Sequence, residues 1–370
     1  MASAPKGGRH TKGEKAHYRR LEEITVNLPK SLVFCYYFAY GPDTKRSFVR
    51  DKQVCMKKRL LTGLKPSGEL HIGNYFGALK PFIDVYEQYD SFLMVADYHA
   101  LTTVRNADEL AMLTTQITID YLACGLDPKK AVLFRQSDIL EHTELAWIFE
   151  CLVTVPFLML AHAYKDKVVK GIEANAGLFN YPMLMAADIL LYDAEIVPVG
   201  EDQRQHLEYT REAATKFNNA YGKTFTEPKE LILPGVGVVP GTDGQKMSKS
   251  YKNTIPLFGT RDEIAKAVMS IVTDSEGVLP EGVYEIHKLY RDEKELQKAY
   301  GEQQGKYKVL KEMLINDIDA YIAPLREKRN ELEKNKGAVA KILEEGAGRA
   351  RDIASKKMAQ VRDRIGIRPI

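Results

Sequence analysis

Residues 91–96, Ser-Phe-Leu-Met-Val-Ala, are apolar almost without a break. A strand of that kind has no face left for water, so it must be covered on both sides, and helices are the usual cover. The neighbouring sequence supplies them. Arg59–Thr62 reads as a strand and Asn74–Tyr89 as a helix before it. After it, Asp108 is a candidate N-cap for a helix reaching Cys124, with Gly125 and Asp127-Pro128 as stop signals. Ala131–Arg135 is the next strand, Leu145–Val153 and Tyr181–Leu191 read as helices, Ala194–Val199 as a strand, and Gln203–Asn219 as a long helix. Strands spaced by helices of this length predict an α/β fold on a parallel sheet with right-handed crossovers. Ligands in such sheets bind beyond the carboxyl ends of the strands.

Past Asn253 the strand signal fades, and from Arg261 onward the pattern is helical with many Lys/Glu pairs. The expected organisation is an α/β domain over residues 56–253 and a helical domain over 254–370. Residues 1–55 read differently. The first twenty are rich in Lys, Arg, His and Gly without apolar periodicity, which predicts disorder, while Leu32–Tyr40 suits a strand or hairpin arm. Glu14, Glu22 and Glu23 argue against a transit peptide, and Met56 is an alternative start of translation that would make residues 1–55 non-native. No apolar run reaches the roughly 18 residues that span a bilayer, so no membrane association is expected. Cys35, Cys55, Cys124 and Cys151 form no C-x-x-C pair, which predicts reduced thiols rather than a zinc or iron–sulfur site. A net charge of +3 neither demands nor excludes nucleic acid.

Three segments together suit a triphosphate. In Pro66-Ser67-Gly68-Glu69-Leu70-His71-Ile72-Gly73-Asn74, between the first strand and first helix, Gly73 permits close approach of a nucleotide. The helix offers free N–H groups to phosphate, and His71 and Asn74 stand one turn apart. Alone, this reads equally as a capped loop with a surface histidine. Gly241-Thr-Asp-Gly-Gln-Lys246-Met247-Ser248-Lys249-Ser250 pairs two mobile cations with glycines and hydroxyls, and the KMSKS string is far more specific than a solvated K-x-x-K. Tyr164-Lys-Asp-Lys167 alone reads as a charged surface turn.

With HIGN at residues 71–74 and KMSKS at 246–250, the chain resembles the class I aminoacyl-tRNA synthetases, whose signatures are HIGH and KMSKS. The Asn at the fourth position, within GLKPSGELHIGNYFGA, is similar to the tryptophanyl branch. The resemblance runs from about residue 57 to 370. It implies a Rossmann-like doubly wound parallel sheet with a C-terminal α-helical, anticodon-binding domain, ATP as a substrate with Mg²⁺, and tRNA(Trp) as partner. It further implies a cytoplasmic homodimer. Phosphoryl-group chemistry then rests on positioning and charge. Lys246, Lys249 and Lys167 are expected on the β- and γ-phosphates, with His71 and Asn74 nearer the reacting centre. Lys65, Pro66, Ser67, Gly73, Gly200, Asp202, Gln203, Val239, Met247 and Ser248 complete the nucleotide side. No metal is expected to be fixed by protein, because Mg²⁺ rides with the triphosphate. Lys65 departs from the polar uncharged residue of many relatives.

The amino acid side centres on Tyr181-Pro-Met-Leu-Met185-Ala-Ala-Asp188, where Met185 and Asp188 share a helix face. A carboxylate among apolar residues needs a donor; indole offers one N–H and no acceptor, so Asp188 suits it. The resemblance gives the aspartate of this motif that role. Leu61, Met185, Val197 and Val199 are expected to form an apolar slot, with His99 lining it and Tyr181 and Gln203 holding the amino group. Arg349, Arg351, Lys356, Lys357, Arg362 and Arg364 are expected to meet tRNA phosphates, and the apolar run Leu145–Leu160, with Trp147, the dimer interface. The nearest rival is a tyrosine–tRNA ligase, whose pocket needs both a donor and an acceptor for a phenol. A rival of another class, a catalytically dead RNA-binding paralogue, predicts damaged HIGN or KMSKS motifs, and both are intact here.

Overall fold

The computed structural model describes residues 57–161, 164, 175–199, 204–232, 238–273 and 279–368, all within one compact unit spanning Met56–Ile370. The expectations for residues 1–55 lie outside the described residues.

Among the described residues, five strands form one parallel sheet: β1 (Arg59–Leu64), β2 (Asp90–Val95), β3 (Ala131–Arg135), β4 (Ile196–Pro198) and β5 (Lys229–Leu231), in the order β3-β2-β1-β4-β5. The chain builds outward from β1 to β3, then returns to the other side of β1 for β4 and β5. That reversal opens a crevice beyond the carboxyl ends of β1 and β4, where open parallel sheets bind their ligands. The period of two along each strand divides the core cleanly. Leu60, Leu93, Val95, Leu133 and Ile196 join one buried cluster, while Leu61, Phe92, Met94, Phe134 and Val197 join a second on the opposite face.

Among the described residues, the longer helices are α1 (Ala107–Ala123), α2 (Glu141–Glu150), α3 (Ala176–Leu190), α4 (Arg204–Tyr221), α5 (Arg261–Met269), α6 (Glu281–His287), α7 (Glu293–Glu302), α8 (Tyr307–Lys334) and α9 (Lys336–Ile365). Three starts differ from expectation. Asn106, not Asp108, caps α1 by accepting from the Glu109 N–H at 2.9 Å; Asp108 lies inside the first turn, where its charge meets the helix dipole. Helix α2 begins at Glu141 rather than Leu145. Helix α3 begins at Ala176 rather than Tyr181, behind Asn175, whose side chain accepts the Leu178 N–H, and Pro182 lies inside it. The helix after β1 changes type as it runs: Ile72–Asn74 is α, Tyr75–Leu79 is π and Lys80–Val85 is α again. Strand β5 was not expected, being three mostly exposed residues.

Helix α9 closes the sheet's β3 edge. Gly346 presses so tightly on that strand that a Cβ would stand 1.8 Å from the Leu133 carbonyl oxygen. Buried Ala347, Ala350 and Ala354 continue the same small-residue face. Arg349 donates to the Ala131 and Pro128 carbonyls, Arg351 to Asp138, Lys357 to Asp193, and Arg362 to Glu144. Four of the six cations expected on tRNA phosphates thus also meet acceptors of this chain; Arg349, Arg351, Lys356 and Arg364 are exposed and Lys357 is buried. Sequence periodicity places a cation on a helix but cannot see the carbonyl it will meet. A second tie joins α8 to α1, where Arg329 Nε meets buried Asp120 Oδ1 at 2.7 Å.

Candidate active site

A cavity of about 920 Å³ opens in the crevice. One wall carries His71, Gly73 and Asn74, together with Lys65, which follows β1. The HIGN segment locks itself. His71 Nδ1 accepts the Asn74 backbone N–H at 3.2 Å, and Asn74 Oδ1 accepts the His71 backbone N–H at 3.3 Å. This reciprocal capping box leaves each side chain with an N–H to spare: the imidazole proton must sit on Nε2, and the Asn74 amide retains its Nδ2 hydrogens. Burial, reinforced by the charge of Lys249, lowers the His71 pKa to about 4. The ring is neutral at physiological pH and acts as a hydrogen-bond donor, not a cation.

The KMSKS segment folds onto HIGN. Met247 is buried, and a Cβ on Gly73 would stand 3.1 Å from Met247 Cβ. Lys249 Nζ donates to the Ser67 carbonyl at 3.0 Å. The chain beyond KMSKS clamps the first motif, with Ile72 N–H donating to Ile255 O and Leu257 N–H to Leu70 O. Asn253, which the sequence reading missed, organises the loop: its amide donates to Asp243 Oδ1 at 2.7 Å and Lys246 O at 3.1 Å and accepts from the Ser248 N–H at 2.7 Å. It packs against Gly241, where a Cβ would stand 2.2 Å from the Asn253 amide nitrogen. The available signal was a polar residue placed after a glycine-flanked phosphate-loop candidate.

Lys246, Met247 and Val239 reach the cavity wall. Pro66, Ser67, Ser248 and Lys249, expected on the nucleotide, are not among its lining residues, although they adjoin lining residues in sequence and Lys249 and Ser67 are joined to each other. Lys65 Nζ lies 3.3 Å from Thr102 Oγ1. Lys167, Gly200, Asp202 and Gln203 lie outside the described residues.

The opposite end of the cavity is apolar around one carboxylate. Leu61, Met185, Val197 and Val199 line it, with His99, Tyr181 and Asp188. Asp188 is 3% exposed. His99 Nε2 meets its Oδ2 at 2.8 Å, and Gln136 Nε2 donates to Oδ1 at 2.7 Å. Burial alone would raise the Asp188 pKa, but the close approach of His142 and His99 outweighs it and holds the group at about 2, so it is a carboxylate throughout the physiological range. Tyr181 Oη lies 2.6 Å from His206 Nε2. Gln136, His142 and His206 were missed by the sequence reading. Gln136 alone carried a signal, as a polar residue directly after the apolar run of β3.

Residues 53–334 match the family described as tRNA synthetases class I (W and Y). The tryptophan–tRNA ligase of Fusobacterium nucleatum subsp. nucleatum is 48% identical over 319 residues, 84% of this chain and 98% of its own length. That of Campylobacter jejuni is 45% identical over 84% of this chain and all of its own length. The crystal structure of the Campylobacter jejuni tryptophanyl-tRNA synthetase complexed with ADP and tryptophan is similar with a TM-score of 0.78 at 43% identity, covering 83% of this chain and 99% of that one. With its two signature motifs interlocked at one end of the cavity and a buried carboxylate at the other, the chain belongs to the class I tRNA synthetases, in their tryptophanyl branch.

Proposed function

We propose that this chain activates L-tryptophan with ATP, forming tryptophanyl-adenylate and pyrophosphate, and transfers tryptophan to tRNA(Trp). The observation that carries this is a single cavity with two unlike ends: an apolar slot around Asp188, and a donor-rich end formed by His71, Asn74 and Lys246. The indole enters the slot and gives its N–H to Asp188. Its carboxylate then faces the α-phosphorus of ATP, whose charge is met by the Nε2–H of neutral His71 and the amide of Asn74. Lys246, Lys249 and Lys167 neutralise the departing pyrophosphate, while Tyr181 and Gln203 hold the amino group and Gly200 and Asp202 border the nucleotide. The protein makes no covalent bond; its contribution is placement and fixed charge. Lys246, His71 and Asn74 make the phosphate wall cationic and donor-rich, so Mg²⁺ would enter with the triphosphate and would help neutralise its charge there.

The assembly is a cytoplasmic homodimer. Its support is an exposed apolar surface around α2, with Leu140, Trp147 and Val155 at 71%, 67% and 60% exposure. Among the described residues, no helix is long and apolar enough to cross a membrane. Anticodon recognition belongs to the helical region over 254–370.

Amino-acid-dependent ATP–pyrophosphate exchange with each of the twenty amino acids tests the reading. Exchange with tryptophan alone, followed by charging of tRNA(Trp), is the expected result. Exchange with tyrosine would move the assignment to the sister activity.

A further inference from the structure

Asp188 is held from two sides. His99 approaches Oδ2 from the cavity wall. From behind that wall, Gln136 donates to Oδ1, and His142 Nδ1 lies 2.7 Å from the same oxygen without completing a hydrogen bond to it. A carboxylate has about four lone-pair sites. Two hydrogen bonds and the close contact of His142 Nδ1 fix it in place and leave room for a further donor from the cavity. His142 is itself fixed. Its Nε2 is 2.8 Å from the hydroxyl of Tyr192, one turn beyond Asp188. Its ring stacks on Phe134 at 6.3 Å and tilts against Tyr192 at 5.5 Å. Gln136, His142 and Tyr192 are all fully buried. Burial keeps the Tyr192 phenol protonated, so the phenol can donate to Nε2 and the ring's own proton then lies on Nδ1, towards Asp188.

We propose that His142 is a positioning residue, oriented by Tyr192, that holds the Asp188 carboxylate in the rotamer that receives the indole N–H. The inference rests on the reading of Asp188 as the indole acceptor. His142 touches no substrate; it acts through Asp188. The other groups bearing on Asp188 are His99 from the short helix Asp97–Ala100 and Glu141 acting on Tyr192, while α4 brings His206 to the cavity through Tyr181. These stay constant across the variants below.

The test is tryptophan-dependent pyrophosphate exchange by the full chain at neutral pH. His142→Phe keeps the ring stack and removes both polar contacts. The expected result is a rise of about tenfold or more in KM for tryptophan with little change in KM for ATP, consistent with the loss of one close polar contact to a carboxylate. His142→Asn places an N–H where Nδ1 was and recovers most of that loss. A melting-temperature loss with unchanged KM for tryptophan, equal rises in both KM values, or an Asn variant no better than Phe, overturns the proposal. Should His142→Phe not fold, Tyr192→Phe takes its place, with a smaller rise in KM for tryptophan expected and no rise overturning it. Asp188→Asn separates the two layers. If it leaves KM for tryptophan unchanged, the indole assignment itself fails; if it raises KM while the His142 variants do not, only the positioning role fails.

Discussion

Gly73 and Met247 meet where the two signature motifs touch: a Cβ on Gly73 would stand 3.1 Å from Met247 Cβ and 2.9 Å from His71 Nδ1. The glycine is required by this contact and not by its backbone angles, since it is absent from the left-handed positions. Gly73→Ala should push the His71 ring and the KMSKS loop apart by a fraction of an ångström. Displacements of that order cost about a hundredfold in rate when positioning is the catalytic device. Steady-state exchange kinetics check this, with kcat/KM for ATP expected to fall by about that factor while thermal stability changes little.

His71 should titrate far below a free histidine. Its pKa is lowered to about 4 by burial and by Lys249. Below pH 6.5 the unfolded chain takes up a proton that the folded site refuses, so the folded state loses stability as pH falls from about 6.5 towards 4 and keeps it above that window. An NMR titration of the His71 ring is the direct check. A midpoint near 4 is expected, and a midpoint near 6.5 would show that the ring is solvated and free to be a cation.

Asn253→Ala removes the contacts to Asp243, Lys246 and Ser248 together. Each is an ordinary hydrogen bond of about 1 kcal/mol net, but a buried partner left without one costs more. The loop should lose its resting conformation, raising KM for ATP by about tenfold or more with KM for tryptophan little changed. Equal changes in both constants would mean that Asn253 supports the whole fold instead.

Gly346→Ala tests the closure of the sheet edge. A methyl cannot occupy a point 1.8 Å from the Leu133 oxygen, so α9 must move off β3. A loss of about 3 kcal/mol or more is expected from overpacking of this kind. Calorimetry should show a lower melting temperature, while exchange activity well below it stays near that of the parent.

The sheet was legible because apolar runs such as Phe92–Val95 and Ala131–Phe134 admit no other role, and both motifs were legible because His71, Asn74, Lys246 and Lys249 carry chemistry at a fixed spacing. The partners of those residues were not. His142 is far from Asp188 in sequence and meets it only because α2 packs on α3. Asn253 looks like any polar loop residue until Gly241 is seen beneath it. The acceptors that Arg349 and Arg362 meet on β3 and α2 were not legible because sequence records charge and not its partner. The boundaries of α1 and α3 moved for local reasons: two cap residues stood close together at Asn106 and Asp108, and the helix read from Tyr181 already has its first turn formed behind the Asn175 cap.

The claim at the centre of this account is that Asp188 recognises the indole N–H. Exchange kinetics with tryptophan and with its benzothiophene analogue, in which sulfur replaces the N–H at nearly constant shape, test it most directly. A site built around a hydrogen bond rejects a substrate lacking it by roughly 10⁴-fold in kcat/KM, and that loss should shrink strongly in the Asp188→Ala variant. Analogue and tryptophan activated within about tenfold of each other, the difference a purely apolar pocket would give, would contradict the account.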